Sequence, residues 1–359
     1  MIARAGLAVA LTAASLLVAA PQAARATGDT VETRLVWSRF VDAGFSAARI
    51  VIAPPSGAPV RELTHSADGV FDIDPRLSPD GRTVAFERDF PDGTSRIALI
   101  GSDGRGERVL DLGCTDPCAA ELTPTWTPDG RAILFTRVIG PFDRPNESAA
   151  SAVLWRADLD RGGVRRVERF LAPGIDGAYE DYRATWAPAG YVVFVRIRDL
   201  DNASAVFRSD PDGLGLRRLT SWALGADLPA VSPARSGPTK DLVVFEMYGH
   251  GGPPDDTTSQ AVTTVPATCR SEADCAARTV VLTGRHVRPE QNFNPDWSPD
   301  GRSIAFVKFT SSPTTSPTAD IWTMRWDGAQ PRPVSESPLF EYRPSWGVRP
   351  AGPSGWDRS

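Results

Sequence analysis

The chain has little of what catalytic and metal centres are usually built from. Its 359 residues include three histidines, His65, His250 and His286. There is no Gly-x-Ser-x-Gly elbow, so the segment Tyr248-Gly-His-Gly-Gly-Pro-Pro254, shaped like an oxyanion loop, lacks the serine nucleophile it would serve. It reads as a loop rich in glycine and proline. Apart from the N-terminus there is no long apolar run, which excludes a helical membrane span. No segment after the N-terminal run has helical periodicity. A basic excess is missing too. The net charge is −5, which argues against nucleic acid as a partner.

What is present begins with an address. Arg4 precedes an apolar run from Ala5 to about Ala20, and Ala24-Arg25-Ala26 offers a small-residue cleavage site. Residues 1–26 are expected to be a signal peptide, 27–349 the folded domain and 350–359 a flexible tail. No cysteine follows the apolar run for lipid attachment. The expected location is therefore secreted, extracellular or in the cell envelope. Four cysteines, Cys114, Cys118, Cys269 and Cys275, fit that oxidising setting as disulfides. Proximity favours Cys114 with Cys118 and Cys269 with Cys275. Zinc is the rival reading, but the spacing is poor and no histidine adjoins either pair.

The dominant feature is a repeat. Leu77-Ser-Pro-Asp-Gly-Arg-Thr-Val-Ala-Phe86, Trp126-Thr-Pro-Asp-Gly-Arg-Ala-Ile-Leu-Phe135 and Trp297-Ser-Pro-Asp-Gly-Arg-Ser-Ile-Ala-Phe306 superimpose. Weaker copies begin at Trp186 and Val231, and a sixth is split between the two ends of the chain. Each unit reads as four short antiparallel strands, A to D. Ser-Pro-Asp-Gly makes the A-to-B turn, because proline presets φ and glycine accepts a positive one. Strand B is an apolar run ending at Trp37, Phe86, Phe135, Phe194, Phe245 or Phe306. The chain starts at a strand B, Leu35-Val-Trp37, and ends at a lone strand A, Arg343-Pro-Ser-Trp346. Four short strands cannot bury both faces alone, but a ring of such sheets can. The expected fold is all-β. It is a six-bladed β-propeller of four-stranded antiparallel blades, closed where the C-terminal strand A joins the N-terminal strands B to D. An open β-solenoid is the alternative, but its coils are shorter and more regular.

The pattern Pro-x-Trp-Ser-Pro-Asp-Gly-Arg-x-Ile-Ala-Phe resembles the WD40-like repeat of TolB-type β-propellers, and the likeness spans essentially the whole mature chain. TolB itself carries an α/β domain ahead of its propeller. Here strand B follows the cleavage site within about ten residues, so the resemblance implies the propeller alone and does not carry over the Tol–Pal role. Related prolyl-oligopeptidase propellers bear a hydrolase domain, for which no segment is expected here.

In a propeller the B-to-C and D-to-A connections share one face. Here both are elaborated, and elaborated loops on a rigid frame are where binding concentrates. The loops carry Asp89, Asp92, Asp143, Asp199, Asp201, Asp255 and Asp256, with Phe142, Tyr179, Trp222, Phe293 and Phe340. Two columns stand out. Asp72, Glu121, Asp181, Asn292 and Glu341 lie three residues before the strand A proline or its equivalent. Arg39, Arg88, Arg137, Arg196 and Lys308 lie two residues after the strand B aromatic. They are expected at the channel mouth, either as structural ion pairs or as a polar funnel for a charged ligand. The fourth unit has Ala226 and Met247 instead, which would make an opening there.

The expected function is a secreted, non-catalytic module that binds a protein or peptide through the long-loop face, as a monomer. The alternative is a metal-dependent lyase- or lactonase-like enzyme, or a small-ligand binder, at the central channel. A purely structural envelope protein is a third reading. No cofactor is expected, though calcium or another divalent ion stays open. His250, Asp255 and Asp256 are the weak candidates for metal ligands.

Overall fold

The computed structural model describes residues 32–143, 148–160, 163–171, 179–248, 260–284, 290–310 and 318–348. The proposed signal peptide and tail lie outside these residues. Almost all regular structure is antiparallel β. Three sheets have four strands each. Their first strands are Tyr179–Trp186, Ala226–Val231 and Glu290–Trp297. Twelve more strands form one sheet. It consists of three antiparallel quartets joined by single parallel bridges, Ala48 to Phe71 and Ser95 to Ala120. Two of these quartets start with Phe71–Leu77 and Cys118–Trp126. The third is the split one. Glu341–Val348 pairs antiparallel with Thr33–Phe40, bringing Trp346 opposite Leu35 and Glu341 opposite Arg39.

Hydrophobic clusters join successive quartets. Alternation along a strand sends neighbouring residues to opposite faces. In the split quartet, Leu35 and Trp37 pack with Ala305 and Val307 of the last intact quartet. Val36 faces the other way and packs with Val84 and Phe86 of the first. Comparable clusters join first to second, second to third, third to fourth and fourth to fifth. The six strand B aromatics have at most 2% of their surface exposed. The fold is that of a TolB-like β-propeller.

The repeated turn explains its own sequence. Gly81 donates its N–H to the Ser78 carbonyl at 2.8 Å and sits at φ 70°. Pro79 takes the preset position and glycine the left-handed one, as a type I turn with a following bulge requires. Asp80 closes the loop by accepting from the Ser78 hydroxyl at 2.6 Å and the Arg82 N–H at 3.1 Å. The turns at Thr127 and Ser298 repeat this.

Both disulfides join the local pairs, with Cα atoms 5.2 Å apart for Cys114–Cys118 and 5.0 Å for Cys269–Cys275. They fit an exported location. No helix among the described residues is long and apolar enough to cross a membrane.

Two sequence expectations need correction. The segment carrying Phe142 and Asp143, expected as a loop, is strand. The strands there run Ala132–Asp143 and Ser148–Asp160, and pairing continues to Asp143 and Ser148. A helix also exists, Glu272–Ala277. At six residues it is too short to show a period. The Ser271 hydroxyl caps it, accepting from the Asp274 N–H at 3.2 Å.

Candidate functional site

The two charged columns meet in pairs, because strand register sets each acid opposite its base. Arg39 lies 2.6 Å from Glu341 and Arg137 2.7 Å from Glu121. Arg88 grips both oxygens of Asp72 at 2.6 and 2.9 Å, and Arg196 those of Asp181 at 2.7 and 2.9 Å. Asn292 faces Lys308 in register, and the Lys308 ammonium lies 4.7 Å from the Trp322 ring. The acids are buried: Asp72, Glu121 and Glu341 are 0% exposed.

The arginines extend across their own sheets. Arg137 lies 4.4 Å over Trp155 and donates to the Leu112 carbonyl at 2.6 Å. Arg196 lies 5.3 Å from the rings of both Tyr179 and Phe207. The expected opening in the fourth unit is filled. Ala226 and Met247 are register partners, both 0% exposed, packed in one apolar cluster with Phe245 and Val265. A buried ion pair has been replaced there by hydrocarbon, which avoids its desolvation cost.

Two residues further along strand A lies a column the sequence did not announce. Asp74, Thr123, Arg183, Leu228, Asn294 and Arg343 all have φ between 49° and 56°. Each sits at a register shift, where strand A skips the proline, or its equivalent Ala184, that follows. Proline has no N–H to give to the ladder.

The bulge frees groups that bridge neighbouring quartets. The Thr123 N–H donates to Glu87 at 2.9 Å, and the Arg183 N–H to the Thr123 hydroxyl at 3.4 Å. Arg183 also reaches both Asp227 oxygens, at 3.0 and 3.2 Å. The Asn294 N–H donates to Glu246 at 2.7 Å, and the Arg343 N–H to the Asn294 side-chain oxygen at 3.1 Å. Finally the Arg343 guanidinium holds both oxygens of Asp74, in the same quartet as Glu87. These contacts make a circuit that returns to its start. Burial, reinforced by Asp227, pushes the Glu246 carboxyl above the usual range. Burial acts the same way on Asp74, but the Arg343 charge against it prevails and holds that carboxyl low.

The six first strands also enclose a cavity of 360 Å³ beside the Ser-Pro-Asp-Gly turns. Its wall includes Arg76 and Asp296 from the position after the proline, and Trp126, Trp297 and Trp346 from the next. The Trp126 and Trp297 N–H groups donate to the Arg76 and Ala230 carbonyls, at 3.0 and 3.1 Å.

The long-loop side carries six aromatic rings in contact. Phe40 stacks on Tyr342 at 5.2 Å and meets Phe45 edge-on at 4.5 Å. Phe340 touches Phe40, Phe45 and Phe309, and Phe71 completes the group. Phe45 stands at the tip, 44% exposed, on a left-handed residue with φ 56°. Asp42 builds the turn beneath it by accepting from the Gly44 and Ser46 N–H groups, at 2.8 and 3.1 Å. A second pair, Tyr179 stacked on Trp222 at 6.1 Å, lies under Arg198. Of the aromatics singled out by sequence, Tyr179, Trp222 and Phe340 join these groups. Phe293 packs against the core. The Phe142 side chain lies outside the description. Phe40, Phe45, Phe71, Phe309 and Tyr342 were missed, since they occupy no single common position of the repeat.

Two of the loop acids serve their own loops. Asp92 caps Thr94, and Asp201 pairs with Arg198. His65 is exposed, 3.6 Å from Glu62. His250, Asp255, Asp256 and His286 lie outside the described residues. Among those described, one group has metal-ligand spacing: Cys114, Cys118 and Glu121. Its cysteines are joined in a disulfide and its glutamate holds Arg137.

No family model matches the sequence. A 67-residue stretch, 19% of the chain, is 39% identical to the uncharacterized peptidase YuxL of Bacillus subtilis (strain 168), and spans a tenth of that protein's length. In structure the chain resembles TolB from Acinetobacter baumannii, with a TM-score of 0.60 and 19% identity over 88% of this chain and 67% of that one. It also resembles a chain of the nidogen/laminin complex, with a TM-score of 0.59 and 11% identity over 88% of this chain and 98% of that one. At these identities the likeness shows the fold alone.

Proposed function

Taking the chain as a TolB-like β-propeller, we propose that its six strand quartets are the blades of one closed ring, and that the ring is an exported, non-catalytic module that binds a protein or peptide. The observation that carries this reading is the six-ring aromatic group on the long-loop side, with Phe45 at its exposed tip. Aromatic side chains give a large contact area at low entropic cost, and they dominate binding hot spots. The Asp42 turn holds Phe45 in place before any partner arrives. Ordering costs on binding are correspondingly small. The two disulfides support an extracellular or envelope location. The nidogen/laminin neighbour supports a protein partner, being itself a protein–protein complex.

The buried ion pairs brace the sheets in this reading, and binding is assigned to the aromatic group instead. The test is selection of displayed random peptides on the full mature protein, repeated with Phe45→Asn. Asparagine tolerates a left-handed φ, so the turn is kept while the ring is lost. Enriched peptides are expected to bind the variant at least about tenfold more weakly, a loss of about 1.4 kcal/mol. Absence of any enriched peptide, or equal binding by the variant, would overturn the assignment.

A further inference from the structure

The 360 Å³ cavity lies on the side of the short turns, away from Phe45, and has two arginines in its wall against one carboxylate. Arg76 stands in its wall with 27% of its side chain exposed. Its guanidinium makes no hydrogen bond among the described residues. It makes a loose ion pair with Asp296, 3.8 Å away and beyond hydrogen-bond reach. The Asp296 oxygen concerned already accepts the Trp346 backbone N–H at 2.8 Å. Asp74, two positions before Arg76, is taken by Arg343. A second arginine, Arg235, reaches the same cavity from the fourth unit, and it too has no hydrogen-bond partner among the described residues. Around these two donors indole and proline lead the lining, with Ser78, Thr125, Thr185 and Ser345 among them. The Trp126 and Trp297 N–H groups are committed to carbonyls, so those rings offer apolar surface only.

We propose that this cavity binds a small organic carboxylate carried on a flat aromatic ring. Arginine presents a planar fork of donors that matches a carboxylate. Two such forks outweigh the single charge of Asp296, and the indoles supply a face for the ring. The volume lies within the range of ligand pockets, about 300–1,000 Å³. This site stands independently of the aromatic long-loop face.

The experiment is calorimetric titration of the mature protein with 2-naphthoate and with its uncharged twin, 2-naphthamide. The acid is expected to bind saturably at one site, with the amide at least about tenfold weaker. Arg76→Gln should weaken naphthoate binding by a similar factor. Arg235→Gln, on an exposed turn and so without consequence for folding, should weaken it measurably. Equal binding of acid and amide, no saturation up to about 10 mM, or indifference to Arg235→Gln with the melting point unchanged would each overturn the proposal.

Discussion

Arg343 holds both carboxylate oxygens of Asp74 across 269 residues of sequence. The contact ties the last described strand to the first intact quartet, beside the pairing of Glu341–Val348 with Thr33–Phe40. Asp74→Asn leaves a largely buried guanidinium without its counter-charge. The expected cost is about 3 kcal/mol, read from the urea midpoint. Adding Arg343→Met should recover much of that loss. Deleting Glu341–Val348 should abolish cooperative unfolding. A truncated chain that stayed soluble and melted like the intact one would refute the idea that the ends share a blade.

Arg137 tests the buried pairs. Removing it by Arg137→Ala strands the fully buried Glu121 carboxylate, so destabilisation of about 3–5 kcal/mol is expected. An exposed pair would contribute about 0–1 kcal/mol. The fourth unit suggests the remedy. Arg137→Met with Glu121→Ala imports its Met247 and Ala226 arrangement, and the double variant should be more stable than Arg137→Ala alone. An unchanged midpoint in the single variant would show that the pair braces nothing.

Glu246 gives a pH signature. Burial and Asp227 raise its folded carboxyl above the unfolded value. Its contribution to stability is therefore complete below the unfolded value, about 4.3, and is lost as pH rises through the raised folded one. Glu246→Gln removes this dependence while keeping an acceptor for the Asn294 N–H. Urea midpoints measured from acid to neutral pH should fall for the wild type relative to the variant. Parallel profiles would mean that Glu246 titrates normally.

Much of the frame was legible because its signals are local. Ser78-Pro-Asp-Gly81 names its own turn, and the turn sets the register that brings Asp72 opposite Arg88. Ala226 and Met247 suggested an opening in the fourth unit, where the structure has an apolar filling. The bulge column was hidden. Four of its six members are Thr, Arg, Leu and Arg, which do not advertise a left-handed φ, and a residue before proline normally favours an extended one. The helix Glu272–Ala277 was hidden by its length.

The sequence by itself determined the repeat, the turns, the buried strand B aromatics and the local disulfides. Each depends on residues close in sequence or fixed by a hairpin, where side-chain alternation leaves one register that buries the apolar face. Only the tertiary structure decided that Phe40, Phe45, Phe71, Phe309, Phe340 and Tyr342 gather on one side, and that Arg76 and Arg235 look into one cavity on the other. Those groups meet across quartets. Their proximity follows from how whole sheets pack against one another, and that packing leaves no periodic trace along the chain.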